Sequence, residues 1–272
     1  MALLRIAEVF GHAIEDLSEP ARRDRVAKHC PFRNSPCTKS SIEDPIGVCT
    51  LSDGTSATSL CPVRFVQDSR IFVDAARLAF GTGVRFAPVP EISILRVKSG
   101  RKIGKIDYLL ARIDRNERVA DFAALEVQAV YFSGENIKAP MREYLETGTL
   151  AEDSWRRPDY RSSAQKRLMP QLSIKVPVFR RWGKKFLVAV DSLFFAALPD
   201  FRKVESPANS EITWLSYPFK KTLGGYQIGD PDVLYSLWDD VVTALREGQA
   251  PEPDQILAQL QSRLGTSRIL ET

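Results

Sequence analysis

The chain has 272 residues, 44% of them hydrophobic and 26% charged, with a net charge of +4 at pH 7. That composition supports one large core or two small domains and excludes a low-complexity or disordered chain. No apolar run reaches 18 residues, which excludes a membrane-spanning helix.

In chain order, MALLRIAEVFGHAIEDL has no basic start followed by a long apolar run, so no secretory signal is expected and the reading is cytoplasmic. The spacing of Leu3, Ile6, Ala7, Phe10, Ile14 and Leu17 predicts a helix over 2–17. Residues 28–66 form a cysteine-bearing loop. A helix is expected at 68–81, with Asp68 or Ser69 as cap and Gly81 as its end. Extended segments follow at 84–89, 91–97, 104–113 and 121–132, with a turn at IDRNER between the last two. Residues 137–147 and 162–173 read as helices, 185–198 begins as a buried strand, and 211–219 is another strand. Helices over 231–246 and 253–264 close the chain. Helices flanking a mixed sheet give an α/β or α+β core.

All four cysteines lie in one short segment: Cys30, Cys37, Cys49 and Cys61. In a reducing compartment such clustering favours a metal site over disulfides. Pro31, Pro36, Pro45, Gly47, Gly54 and Pro62 break regular structure around them, as a loop wrapped round an ion requires. Four thiolates suit zinc or iron, and the residues alone do not separate the two. His29 adjoins Cys30 but is not needed as a ligand.

Charge is distributed unevenly. Residues 156–185 hold ten Lys or Arg and one acid, Asp159, so this window carries +9 and the rest of the chain −5. A solvated helix face is the plain explanation, and a phosphate-binding surface is the functional one.

Two strand-like segments carry acids where a buried strand would not. In AALEVQAVYF (123–132), Glu126 and Gln128 stand two apart and so share a face. In GKIDYLLARI (104–113), Asp107 has the same oddity. Paired positions in a hairpin add to a constant. A turn centred between Asn116 and Glu117 sets that sum at 233, which places Asp107 opposite Glu126. Facing carboxylates repel unless a cation lies between them, and Mg²⁺ bound by both would leave room for a phosphate oxygen and a water. Gln128 could position that water. Glu91, after Pro90, is a further candidate carboxylate. The competing explanation is neutralisation by a nearby base, such as Lys105 beside Asp107. Asp191, alone in its strand, is read as structural.

Asp followed some twenty residues on by Glu-x-Gln resembles the PD-(D/E)XK nuclease core, with Gln128 where lysine is usual. CPFRNSPCTK (30–39), GVC (47–49) and LCPVRF (60–65) ahead of that hairpin resemble the NotI family of type II restriction endonucleases. The resemblance covers 28–132 and continues more loosely through QKRLMPQLSIK (165–175) and the strand at 186–191. It implies one nuclease domain over 1–272, with the cysteine segment at 28–66 and a catalytic core at 84–198. It implies a homodimer that cuts both strands of a GC-rich palindrome with Mg²⁺. Asp107, Glu126 and Gln128 would be the nuclease signature, Glu91 an auxiliary acid, and Asp107 and Glu126 the Mg²⁺ ligands. Cys30, Cys37, Cys49 and Cys61 would bind one structural iron, with zinc the alternative. Arg156, Arg157, Arg161, Lys166, Arg167, Arg180 and Arg181 are the expected DNA-binding residues, since a guanidinium pairs with guanine and phosphate alike. A metal-stapled DNA-binding regulator shares the cysteines and the basic window but leaves the facing carboxylates unexplained. A PD-(D/E)XK enzyme of repair or recombination, and a family member that has lost activity, are the remaining readings.

Overall fold

In the computed structural model, which describes residues 3–39, 41–133, 137–150, 155–222, 225–246 and 252–266, the chain opens as sheet. Leu4–Val9 is a strand (β1), and His12–Ala13 (β2) pairs antiparallel with it. The helix expected over 2–17 is therefore corrected. Phe10 and Gly11 take φ of 49° and 81°, which stops a helix, and a Cβ at Gly11 would meet the Pro31 ring at 2.3 Å. Every β1 residue except Arg5 is buried, so its apolar run suits a central strand as well as a helix face.

Ser18 caps a short helix at Glu19–Val26 (α1). The cysteine segment is more regular than the expected loop. His29–Cys30 (β3) pairs with Ser35–Pro36 (β4), and Val48–Ser52 (β5) pairs with Ser56–Ser59 (β6). A 3-10 segment over Pro62–Ser69 leads into Arg70–Phe80 (α2), close to the helix expected at 68–81.

Arg85–Arg96 (β7), Lys102–Ile113 (β8) and Val119–Gln128 (β9) form an antiparallel meander. β7 unites the two extended segments expected at 84–89 and 91–97. Its register with β8 is the same at Pro90↔Tyr108 and at Ile92↔Ile106, and only Glu91 between them departs, with φ of 61°. The strand expected at 121–132 ends at Gln128. Tyr131–Ser133 (β10) leaves for the other sheet, where it pairs with Trp155–Asp159 (β11) beyond the helix Lys138–Thr147 (α3).

The helix expected at 162–173 is longer. It runs from Tyr160–Ser163 (α4) through a π-turn at Ala164–Leu168 into Met169–Trp182 (α5), with Pro177 inside it. Phe186–Asp191 (β12) and Ser192–Ala196 (α6) follow, then Ile212–Tyr217 (β13), Phe219–Thr222 (β14) and Gly225–Ile228 (β15). Residues 231–246, expected as one helix, divide into Asp232–Ser236 (β16) and Trp238–Arg246 (α7). Val233 and Tyr235 belong to β16, and its pairing with β13 overrides the helical spacing. Pro253–Arg263 (α8) is the last helix.

The result is an α+β architecture with two main sheets. The six-stranded sheet has the order β16-β13-β12-β9-β8-β7, with β9, β12 and β13 parallel. It reaches residue 236, so the central sheet extends past the 84–198 boundary. The eight-stranded sheet follows β10-β11-β1-β5-β6-β14-β15, with β2 beside β1. Period two sorts β9 between two layers. Ala124 packs with Leu172, Val176 and Phe179 of α5, whereas Ala123, Leu125 and Val127 pack with Ile71, Phe72 and Ala75 of α2. One apolar cluster joins both sheets, from Leu4, Val48 and Leu51 to Val188 and Trp214. No described helix is long and apolar enough to cross a membrane.

Candidate active site and cysteine cluster

β8 and β9 pair from Arg112↔Asp121 to Tyr108↔Leu125, and the next positions in that register are Asp107 and Glu126. A register shift at Arg112/Ile113 is taken up beside the turn, where Asp114 Oδ1 accepts from the Asn116 and Arg118 N–H groups. The register expected from the sequence therefore holds up to Tyr108↔Leu125, one position before the carboxylates. Asp107 Oδ2 accepts from Val127 N–H at 2.9 Å, and Asp107 N–H donates to Glu126 Oε1 at 3.4 Å. Glu91 falls between the pairs Pro90↔Tyr108 and Ile92↔Ile106, the same interval that holds Asp107, and its charge reaches the Asp107 carboxyl. Glu91, Asp107 and Glu126 thus lie on three neighbouring strands.

The three acids differ in environment. Glu126 is 2% exposed. Burial, then the charge of Asp107, pushes its carboxyl up to about 8. Burial also raises Asp107, and the Glu91 charge adds to it. Glu91 is exposed and pairs with Lys105 at 3.1 Å. Lys105, the base offered by the sequence as a partner for Asp107, is therefore engaged elsewhere. Gln128 is buried on the Glu126 face, and its Nε2 donates to the Ala129 carbonyl at 2.7 Å.

One residue of this cluster escaped the sequence reading. Lys175 Nζ of α5 lies 2.6 Å from Glu126 Oε2, and both side chains are buried. A signal was present: Lys175 interrupts the stripe Leu172, Val176, Phe179, which is otherwise apolar at helical spacing.

Asp107 and Glu126 offer hard oxygen donors. Among the described residues no group of three or more His, Cys, Asp or Glu is arranged to hold a metal ion. Two carboxylates are nonetheless the usual protein share for Mg²⁺, which keeps waters and takes substrate phosphate oxygens.

Cys30, Cys37 and Cys49 are buried, and Cys61 is half-buried. Burial raises the first three thiols, and the Cys61 charge acts on each of them, so the four belong to one neighbourhood. Gly11 N–H donates to Cys49 Sγ at 3.3 Å and Lys39 N–H to Cys37 Sγ at 3.5 Å, contacts that favour thiolate. The Lys39 amine, bonded to the Leu60 carbonyl, is held below the usual lysine range by burial, against the opposing charges of Cys61, Cys49 and Cys37. Thiols are the soft donors that zinc and iron take, although the four cysteines are not arranged as a metal site among the described residues. His29 turns to Asp24, with Nδ1 3.3 Å from a carboxylate oxygen.

The basic residues separate into two groups. Arg157, Arg161, Lys166 and Arg167 are exposed, and the Arg167 guanidinium lies 3.4 Å from the Tyr131 ring centroid. Arg180 is committed to Glu211 at 2.9 Å, Arg156 is half-buried, and Arg181 is exposed in the last turn of α5. Asp191 is fully buried and caps α6 through the Phe194 N–H at 2.9 Å. It also accepts from Thr58 Oγ1 and the Ser59 N–H, which ties β12 to β6.

The fold and site describe an α+β protein whose mixed sheet carries two neighbouring carboxylates, the half-buried Asp107 and the buried Glu126. The family described as Restriction endonuclease NotI matches residues 8–228, and the chain belongs to that family. The family is one of type II restriction endonucleases, so the chain is a site-specific deoxyribonuclease and its partner is double-stranded DNA. A search of curated proteins returns no significant match.

Proposed function

We propose that the protein is a Mg²⁺-dependent restriction endonuclease that acts as a homodimer and cleaves both strands within a GC-rich palindrome. The observation that carries this reading is the placement of Glu91, Asp107 and Glu126 on three adjacent strands, with the last two hydrogen-bonded to each other's strand. Asp107 and Glu126 would hold Mg²⁺, which lowers the pKa of a bound water and polarises the phosphoryl group. Gln128 orients groups on that face, and Glu91 is an auxiliary acid. Together they constitute a PD-(D/E)XK core with glutamine in the last position. Cys30, Cys37, Cys49 and Cys61 hold one structural iron, with zinc the alternative. Arg156, Arg157, Arg161, Lys166, Arg167, Arg180 and Arg181 contribute to the DNA-binding surface, the exposed members contacting phosphates and bases. A two-fold dimer matches a palindrome. The setting is the cytoplasm, and the whole chain serves as one nuclease domain.

Digestion of a sequenced genome with the purified protein and Mg²⁺, with fragment ends read out, tests the reading. Discrete fragments that share one palindromic GC-rich sequence are expected. Retention of intact DNA, or cuts at branched structures without a common sequence, would overturn it.

A further inference from the structure

Strand β9 presents a neutral amide at Gln128, yet a cation reaches the same face from another layer. We propose that Lys175 supplies, from α5, the positive charge that Gln128 cannot, and that it positions Glu126 for cleavage. The inference rests on the reading of Asp107 and Glu126 as the cleavage site.

Lys175 is 5% exposed, at a point on α5 where an apolar side chain would pack. Burying an ammonium there is costly unless it is paired. Its Nζ lies 2.6 Å from Glu126 Oε2 and 3.4 Å from Gln171 Oε1. Glu126 is thus held at both oxygens, Oε1 by the Asp107 N–H of the neighbouring strand and Oε2 by the helix. A purely structural staple is a weak account of this arrangement. Leu172, Val176 and Phe179 are 0–1% exposed and already seat α5 on the sheet. An apolar pair in place of the ion pair would hold the layers at least as well. What an apolar pair lacks is a fixed charge beside two facing carboxylates, where a phosphate must approach. With one oxygen held by the lysine and the other by the Asp107 N–H, the Glu126 carboxyl is fixed in orientation, as positioning requires.

The test compares Lys175→Met, Lys175→Arg and the double variant Lys175→Met/Gln128→Lys with the wild type. The readouts are circular dichroism, DNA affinity in EDTA, and the cleavage rate at saturating DNA with Mg²⁺. Lys175→Met is expected to lower the rate by about 100-fold, with KM changing far less. In EDTA it should bind DNA about threefold more weakly, because the positive charge beside the approaching phosphate is lost. Gln128→Lys in the Lys175→Met background returns a cation to the same face, and should recover about tenfold in rate together with the missing affinity. Lys175→Arg should keep part of both. A folded Lys175→Met that cleaves within about threefold of wild type overturns the proposal. So does a loss in rate that neither Lys175→Arg nor Gln128→Lys relieves. If Lys175→Met does not fold, the double variant decides: a folded, cleaving protein supports the relocated charge, and a second unfolded one assigns Lys175 to structure alone. A wild-type protein that cuts no DNA overturns the cleavage reading itself, and this inference with it.

Discussion

Glu126 accepts a hydrogen bond from the Lys175 ammonium in a buried layer, and its carboxyl is pushed up to about 8 by burial and by Asp107. A carboxylate must lose its proton to ligate a metal ion, so the proposed Mg²⁺ binding at Glu126 would release a proton. The Mg²⁺ concentration for half-maximal cleavage should therefore rise as pH falls below about 8, by up to about tenfold per unit, and level off above it. A Mg²⁺ titration of cleavage at pH 6.5, 7.5 and 8.5 checks the slope, and a flat response would remove Glu126 from the metal. Replacing Asp107 or Glu126 by Ala should abolish cleavage and leave DNA binding partly intact. Glu126→Ala cleaving at the wild-type rate would show the site to be elsewhere. The oddity of these residues was legible in the sequence, because charges in the middle of apolar strands need a reason. Lys175 was not legible with them. It lies 49 positions from Glu126, and only the packing of α5 on the sheet joins the two.

Among the elements, the strands of the N-terminal sheet are bound by a second buried charge network. Arg64, 1% exposed, donates to both oxygens of Glu8 on β1 and to the Tyr226 carbonyl on β15. Thr50 of β5 completes the Glu8 shell at 3.0 Å. Arg64→Met would leave Glu8 charged and buried, at a cost of about 3–5 kcal/mol. Chemical denaturation measures this, and the double variant Glu8→Leu/Arg64→Met should recover most of the loss because no orphan charge remains. The same network explains why β1 escaped the sequence reading. Its burial depends on neighbours at positions 48–52 and 155–156, and no local spacing carries that information. β16 was missed for a similar reason. Helices α2, α3 and α5, whose apolar stripes are local features, were found, though α5 runs on past Pro177.

For the whole molecule, the exposed basic residues set how DNA binding responds to salt. Changing Arg157, Arg161, Lys166 or Arg167 singly to Ala should reduce the slope of log affinity against log salt by about 1 wherever the side chain pairs with a phosphate. Arg180→Ala should reduce the slope by less than these, because Glu211 at 2.9 Å already shares that guanidinium. The cysteine cluster gives a further expectation: one iron or zinc ion per chain by metal analysis, and a Tm lowered by about 10 °C or more on its removal. A metal-free preparation that melts at the same temperature would assign the cysteines to ordinary packing. The sequence by itself determined the acidic hairpin, its register, the clustering of the cysteines and the family, because each depends on residues near one another in the chain or on a fixed spacing. Only the tertiary structure decided that the Glu91 charge reaches Asp107 and that Lys175 closes on Glu126. It also decided that Arg180 is already paired. These relations arise from the order of strands and the seating of a helix, where residues far apart in sequence share one desolvated layer and their charges must be balanced by whatever the fold brings within reach.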